Sequence, residues 1–347
     1  MTQTPASASL SLPGDVEPDA TRTIDAYLDA WAGNDAVRQG AARAVLALVE
    51  ASRQLAPRLA RGALPGDPAK LIGVNADGDK QKALDVATDV LFTRLLIDAG
   101  VAAIVSEEAD EPVPGAPGGK VAVAVDPVDG SGNIGVGAPL GTLFSIVPVE
   151  PGKDPFKVTG RSQVAAGYIS YGHTIDMGLT VGKGTVIATF DAASGNFLIV
   201  DEKRALPKAS SDLAFNSSNH RHWQPGVRAF VEDAYAGKDG PLGRNFNQRW
   251  IGAAVGDAHR IMVRGGLFFY VGDRRKGYEN GRLRLLYEAW PLAFLFEQAG
   301  GAATDGVDPI LDIQPGGIHD RSPLVFGSAE EVELFRQYSL RDRAVTK

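Results

Sequence analysis

The sequence has no cysteine, which excludes disulfide staples, thiolate catalysis, thiolate-held zinc and thiol redox switching. Histidine is scarce, at positions 173, 220, 222, 259 and 319 only, and none sits in a His-Glu-x-x-His arrangement. Any metal is therefore held by oxygen or nitrogen, and a hard cation on carboxylates is favoured over zinc. No apolar run approaches the roughly 18 residues of a membrane-spanning helix. A dense Lys/Arg stripe is missing too. The 35 basic residues stand against 42 acidic ones, a formal charge of -7, so neither a membrane nor a nucleic acid is an expected partner. Met1 to Ala20 is rich in Ser, Thr, Pro and Ala but lacks a basic start and an apolar core. It reads as a floppy tail rather than a signal peptide, and a cytoplasmic protein is expected.

What is there fits a soluble α/β protein. Of 347 residues, 44% are hydrophobic and 22% charged, and the length allows roughly two domains of about 150 residues. Ordered structure is expected from Asp35, a helix N-cap, because Val45, Leu48, Val49, Leu55 and Leu59 recur at helical spacing, with Pro57 kinking or ending the run. A Gly/Asp/Lys-rich loop from Gly66 to Asp79, able to move, precedes a second helix that carries Leu84, Ala87, Leu91 and Leu95 and stops at Gly100. Val101 to Val105 and Val121 to Val125 read as central strands covered on both faces. Each breaks into acids, Ser106-Glu107-Glu108 and Asp126, where ligands of such sheets gather. From Thr142 to Val200, β-prone segments (Leu143 to Val149, Val164 to Tyr171, Thr185 to Phe190, Asn196 to Val200) alternate with Gly-rich turns, as in antiparallel hairpins. Lys203 to Ser211 marks a domain boundary. Beyond it come a strand at Leu213 to Asn216, a helix at Pro225 to Tyr235, a helix through Ile251 to Met262, a strand at Leu267 to Val271 and a helix opened by Pro291. A last helix is expected after Ser328, with Glu331 at the capping-box position.

The most informative stretch is Asp126-Pro127-Val128-Asp129-Gly130-Ser131-Gly132-Asn133. A strand delivers Asp126, Pro127 fixes a tight turn, and the turn returns Asp129, so that two carboxylates and the Val128 carbonyl converge as a cation site. Gly130, Ser131 and Gly132 can aim successive N–H groups and one hydroxyl at an anion beside it. Oxygen ligands next to bare amides suit a magnesium-bound phosphate. Taken alone, the Asp-Pro-x-Asp-Gly segment is equally at home as a surface turn, Glu107 and Glu108 as solvated charges, and Asp79 and Asp85 as helix caps. Together at one sheet edge they become a ligand set.

In these motifs the chain resembles the class I fructose-1,6-bisphosphatases, within the lithium-sensitive sugar-phosphate and inositol-phosphate phosphatases. The match runs in order through Gly78-Asp79 with Lys82 and Leu84-Asp85, Ser106-Glu107-Glu108, Asp126 to Asn133, Gly141 to Phe144 and Asn216 to Trp223. It continues through Arg249-Trp250 with Asp257 to Arg260, Gly265 to Tyr270, Arg282 to Glu288, Gln298 to Gly301 and His319 to Pro323. The resemblance implies a layered αβαβα fold with the active site between two α/β subdomains. Residues 1–34 would be a flexible tail, 35–202 a metal-binding phosphatase subdomain, and 203–347 a sugar-phosphate-binding subdomain. It implies two or more Mg2+ per subunit, with Mn2+ as a substitute, held by Glu107, Asp126, the Val128 carbonyl, Asp129 and Glu288. Asp79 would complete a metal site from a mobile loop, while Asp85 and Glu108 polarise the attacking water. Asp129, Gly130, Ser131 and Gly132 would meet the reacting phosphate.

By the same resemblance Asn216, Tyr270 and Arg282, with Arg249 from a neighbouring subunit, would grip the distal phosphate of a sugar bisphosphate in a homotetramer, Asn219 being a second choice for the amide. Trp250 stands where the family usually has a phosphate-binding Tyr, Arg282 replaces the usual Lys, and Gly132 replaces a common Ser. His220 and His222 receive no role, and the segment Gly272 to Gly281 differs from the usual pattern. Animal-type AMP inhibition is expected to be weak or absent, because Asp35 to Leu59 does not resemble the AMP-binding segment and Lys120 is followed by Val121. The expected reaction is hydrolysis of the 1-phosphate of fructose 1,6-bisphosphate, in gluconeogenesis or a Calvin-type cycle. Sedoheptulose 1,7-bisphosphate stands as an alternative or second substrate, and a non-catalytic sugar-phosphate sensor as the alternative of another class.

Overall fold

In a computed structural model, which describes residues 22–74 and 80–345, helical structure starts before Asp35. Helix α1 (Ile24–Ala32) is capped by the Thr23 hydroxyl and seats Ile24 and Leu28, both fully buried, on the core. The expectation of a flexible tail through residue 34 is corrected over this helix; its apolar stripe is too short for spacing alone to reveal. The stretch Met1 to Ala20 lies outside the described residues. Asp35 caps α2 (Ala36–Ala60) by accepting from the Val37 and Arg38 N–H groups, both at 2.9 Å. Pro57 falls in the last turn, where its missing N–H ends nothing. An antiparallel pair, β1 (Leu71–Val74) with β2 (Lys80–Lys82), leads into α3 (Ala83–Asp98).

Next come β3 (Ala103–Ser106), β4 (Val113–Pro114), β5 (Val121–Asp129), β6 (Leu140–Pro148), β7 (Ala165–Tyr171), β8 (Ile175–Thr180), β9 (Thr185–Asp191) and β10 (Asn196–Arg204). They form one sheet in the order β10-β9-β8-β7-β6-β5-β3-β4, antiparallel except where β3 runs parallel to β5. The strand β8 carries no separate apolar run and is the one hairpin arm that the β-prone segments leave out. Every residue of β5 is buried, and its alternation divides the core: Val121, Val123 and Val125 pack with α1 to α3, while Ala122 and Ala124 face the opposite way.

The second half supplies β11 (Asp212–Ala214), α4 (Pro225–Tyr235), β12 (Asn247–Gln248), α5 (Ala254–Arg264), β13 (Leu267–Tyr270), β14 (Leu283–Arg284), α6 (Trp290–Gln298), β15 (Ala302–Thr304), β16 (Arg321–Ser322), β17 (Leu324–Gly327) and α7 (Ala329–Val345). Five of these strands make a smaller sheet, β12-β11-β13-β17-β15. Phe268 and Phe326 turn toward α5, α6 and the large sheet, whereas Leu267, Phe269 and Val325 turn toward α4 and α7. The molecule is thus five layers, α-β-α-β-α, and α5 and α6 lie between the two sheets. The capping box expected at Ser328 is replaced. Ser328 Oγ accepts from the Gly266 N–H, and the Glu331 carboxylate takes the Ser210 N–H and the Arg244 guanidinium, tying α7 to the loop before β11.

Candidate active site

Strand register builds an acidic corner. Ser106 pairs with Val125 in the parallel ladder and the Glu107 N–H donates to the Val125 carbonyl (3.2 Å), so Glu107 leaves β3 alongside Asp126. The expected tight turn between Asp126 and Asp129 is corrected, because both acids lie within β5, which runs on to Asp129. What joins them is a bulge: Asp126 pairs with Leu143 and Asp129 with Gly141, three steps on β5 against two on β6. Residues three apart on a regular strand point to opposite faces, and the extra residue brings Asp129 back to the side of Asp126. Pro127, with no N–H to lose, occupies the bulge. Its carbonyl accepts from Thr142 Oγ1 (2.9 Å), and Asp126 Oδ1 accepts from the Val128 N–H (2.9 Å).

Glu288 arrives from a π-helical turn, Leu285–Ala289, that precedes α6, and its Oε2 accepts from the Arg284 N–H (2.5 Å). Asp126, Asp129 and Glu288 each place a carboxylate oxygen within 4.8 Å of the others, and each is at most 6% exposed. Burial, and then the neighbouring negative charges, push Asp126 and Glu288 well above the usual carboxylate range. Burial likewise pushes Asp129 up to about 6 and Glu107 up to about 7, although Glu107 is outside the close trio. The contact between the two carboxyls draws Glu107 down and pushes Asp126 further up, so the pair titrates together. Buried, mutually repelling carboxylates with no soft donor among them form an oxygen-only set that fits a hard divalent cation such as Mg2+.

Two fixed positive features face the corner. The first turn of α5 offers the Val255 N–H to Asp129 Oδ2 (2.6 Å), where the helix dipole favours a negative charge. The buried Arg284 guanidinium, held by the His319 carbonyl (2.8 Å), draws the Glu107 and Glu288 values back down. Beside Asp129, Gly130 takes φ +80°, and a Cβ there would lie 2.4 Å from the Ala253 Cβ. Glycine alone allows both that backbone and this contact with the N-cap of α5. The turn Ser131–Asn133 follows, and Lys82 Nζ donates to the Ser131 carbonyl (2.5 Å). Around Gly132 the space is open.

The residues expected to act on water are less concentrated. Asp79 lies outside the described residues. Asp85 sits buried in the first turn of α3, where Oδ2 accepts from the Lys82 N–H (3.0 Å) and Oδ1 has no hydrogen-bond partner among the described residues. Burial raises its pKa. Glu108 Oε2 accepts from Gln81 Nε2 (2.8 Å), linking the end of β3 to β2. Neither belongs to the close trio.

Of the expected distal-phosphate residues, Asn216, Arg249, Trp250 and Tyr270 lie at the C-terminal ends of the parallel strands β11, β12 and β13 of the smaller sheet. Trp250 stacks on Phe268 (centroids 5.7 Å, 22° between planes) and leans on Tyr270 (6.4 Å). Arg249, with its side chain 52% exposed just beyond the edge strand β12, faces Asp212 at 3.6 Å. Asn216 caps the turn Ser217–His222, its Oδ1 accepting from the Ser218 N–H and hydroxyl, which leaves the amide NH2 as a donor. Arg282 lies over the Tyr278 ring, 5.0 Å from its centroid. Sequence reading gives no role to Arg284, Asp257, Asp273 or Arg275, and Asn219, its second choice for the amide, accepts from Arg275 Nη2 (3.0 Å). Asp257 is fully buried, accepts from the Ile251 N–H (3.1 Å) and pairs with Arg260, so it anchors the segment that carries Trp250. Its signal is an acid in the first turn of an otherwise apolar helix face.

Family models agree with this architecture. Residues 39–202 match "Fructose-1-6-bisphosphatase, N-terminal domain" and residues 206–339 match "Fructose-1-6-bisphosphatase, C-terminal domain". The chain is 58% identical over 332 residues to proteins named fructose-1,6-bisphosphatase class 1 from Brucella suis and Brucella melitensis, covering 96% of this chain and 97% of theirs. Among solved structures, the holo form of Leishmania major fructose-1,6-bisphosphatase superposes with a TM-score of 0.85 at 28% identity, covering 92% of this chain and 99% of that one. Two family models that between them span most of the sequence, and relatives at this identity, lead to one conclusion: the chain belongs to the class 1 fructose-1,6-bisphosphatase family.

Proposed function

We propose that the chain hydrolyses the 1-phosphate of fructose 1,6-bisphosphate in the cytoplasm, using Mg2+ or Mn2+, as a step of gluconeogenesis or a Calvin-type cycle. The observation that carries this reading is the convergence of Asp126, Asp129 and Glu288, drawn from a bulged strand and a distant π-helical turn, in a member of this family. These three, with Glu107 and the Val128 carbonyl, would hold the cations. Such cations supply charge neutralisation at the phosphoryl group and a more acidic water.

The chain's own residues do the rest. The amides of Gly130, Ser131 and Gly132 and the Ser131 hydroxyl bind phosphoryl oxygens, and the Val255 N–H keeps Asp129 favoured as a carboxylate. Glu108 and Asp85 orient the attacking water and take its proton, Asp85 using the oxygen that has no partner among the described residues, while Asp79 would complete a metal site. No covalent enzyme intermediate is required. At the other end of the sugar, the Asn216 amide, the Tyr270 phenol and Arg282 bind the distal phosphate against the Trp250 wall. The exposed Arg249 reaches the site of a neighbouring subunit in a homotetramer.

A second reading, action on sedoheptulose 1,7-bisphosphate, is favoured by Trp250, whose indole offers a wall and one donor at the sugar end. Phosphate release from the six- and seven-carbon bisphosphates and from inositol 1-phosphate, with Mg2+ and with EDTA, tests both. Fastest turnover of the fructose ester, stopped by EDTA, is the expected result. Faster turnover of the seven-carbon ester would keep the acidic corner and reassign the substrate. Binding without turnover under every cation would replace the enzyme with a sensor.

A further inference from the structure

The loop Gly272 to Gly281 is folded tightly on itself. The Asp273 N–H donates to the Tyr278 carbonyl (2.9 Å), the Tyr278 N–H to the Arg275 carbonyl (3.0 Å) and the Gly281 N–H to the Tyr278 carbonyl (3.1 Å). Gly277 supports the turn at φ +82°. Tyr278 is therefore pinned through both its backbone N–H and its carbonyl, and its half-buried ring has a fixed place. Two guanidiniums lie on that ring, Arg275 at 4.1 Å from the centroid and Arg282 at 5.0 Å. They differ in what else they touch. Arg275 is neutralised by the buried Asp273 carboxylate, to which Nε and Nη2 both donate, and Nη2 also donates to Asn219 Oδ1 (3.0 Å). Arg282 has no carboxylate partner among the described residues, and its guanidinium lies over the Tyr278 ring.

An uncompensated guanidinium on a long side chain samples many rotamers, and ordering it on binding an anion costs free energy. A ring that already holds the guanidinium plane in place lowers that cost, because cation–π attraction acts before the anion arrives. Arg282 also lies two residues before Arg284, whose N–H holds Glu288, so its backbone is close in sequence to the acidic corner. We propose that Tyr278 is a positioning residue for specificity. It is an aromatic plate, fixed by the Gly272 to Gly281 loop and braced on its other contact by the neutralised Arg275, that aims the Arg282 guanidinium at the distal phosphate. The proposal rests on the reading of Arg282 as a distal-phosphate ligand.

Steady-state kinetics on fructose 1,6-bisphosphate and on fructose 1-phosphate, which lacks the distal group, separates the two. Tyr278→Leu keeps a smaller apolar side chain and loses the π face. It is expected to raise KM for the bisphosphate about three- to tenfold with kcat unchanged, and to leave kcat/KM for the monophosphate unchanged. Tyr278→Phe, which keeps the ring, is expected to retain the wild-type KM. In an Arg282→Lys background, whose ammonium lacks the planar fork, Tyr278→Leu is expected to cost less than about twofold. An unchanged KM for the bisphosphate in Tyr278→Leu beside a raised one in Arg282→Ala overturns the plate and spares the distal-phosphate reading. An unchanged KM in Arg282→Ala removes that reading and the plate with it. Equal losses on both substrates, or a Tyr278→Phe variant as poor as Tyr278→Leu, would make Tyr278 a general structural residue and overturn the proposal.

Discussion

The two ends of the candidate site are built by opposite means. At the acidic end, Asp126, Asp129 and Glu288 are at most 6% exposed, and each is fixed by main chain: a parallel register, a bulge, a helix N-terminus and a π-helical turn. At the basic end, Trp250 is 37% exposed and the Arg249 side chain 52%, and the groups hold one another through stacking and guanidinium–ring contacts. Moving an acid means slipping a sheet. Changing a residue of the basic wall disturbs only its immediate neighbours, so residue types can vary there while the function of the surface is kept. An Arg in place of a Lys and a Trp in place of a Tyr, both relative to the family pattern that the sequence resembles, fall on the permissive end.

The comparison breaks first at Asp126. Asp126→Asn removes the negative charge of the proposed cation ligand at the most constrained point of the molecule, while its amide oxygen can still accept from the Val128 N–H. It is expected to lower kcat by about a thousandfold or more, since electrostatic stabilisation of a transferring phosphoryl group is worth several kcal/mol. Phosphate release near the wild-type rate would show the acidic end to be as permissive as the basic one.

Metal removal probes the same end through stability. Glu107 is held up at about 7 from its ordinary 4.5, mainly by burial, so the cation-free folded protein keeps a proton that the unfolded chain has lost. That group's stabilising contribution is full below its unfolded value and is lost as pH rises through about 7. In EDTA, the melting temperature is expected to fall as pH rises from about 5 to about 7.5. Added Mg2+ is expected to displace the proton and rescue the loss, by about 2.7 kcal/mol at a hundredfold excess over its dissociation constant, and more at the higher pH. A Mg2+-induced rise that is the same at both pH values would contradict a proton-retaining, cation-seeking corner.

The same contrast explains what could be read in the sequence. Val101 to Val105 and Val121 to Val125 ended in acids, and apolar runs that long are central strands, so the corner was legible as a meeting of two strand ends. The bulge was not. Residues 126 to 129 look like a turn because Pro and Gly flank the acids, and only the pairing of Asp129 with Gly141 reveals a strand carried through. Helix α1 was missed because its apolar stripe is Ile24, Leu28 and Ala32, too few to stand out beside a Pro- and Ser-rich stretch. The Tyr278 loop showed only as a segment that departs from the family pattern: nothing in Gly272 to Gly281 announces that two arginines share one ring, since that depends on a turn closed by its own backbone. Residues whose roles rest on strand register showed in the pattern, while those whose roles rest on side-chain contacts between loops did not.

At the basic end, Arg282→Ala is expected to raise KM for the bisphosphate about ten- to fiftyfold with kcat within about threefold, the worth of one charge-assisted hydrogen bond to a remote group. A fall in kcat as large as the rise in KM would mean that the distal grip also sets the position of the reacting phosphate. The two ends would then be mechanically one.

Trp250 should show the smallest effect and the finest distinction. Its ring is held by Phe268 at 5.7 Å and by Tyr270 at 6.4 Å, so Trp250→Phe keeps an aromatic wall on the same support while removing the indole N–H. The expected change in KM is within about fivefold, because a half-exposed neutral donor contributes about 1 kcal/mol or less. Trp250→Tyr returns a phenol at this position and is expected to lower KM for the fructose ester relative to Trp250→Phe, with less benefit for the longer sedoheptulose ester. Measuring both substrates on both variants reads the wall as a ruler for sugar length. A loss of about tenfold in Trp250→Phe would instead make the indole N–H a required donor, and the basic end would prove as exacting as the acidic one.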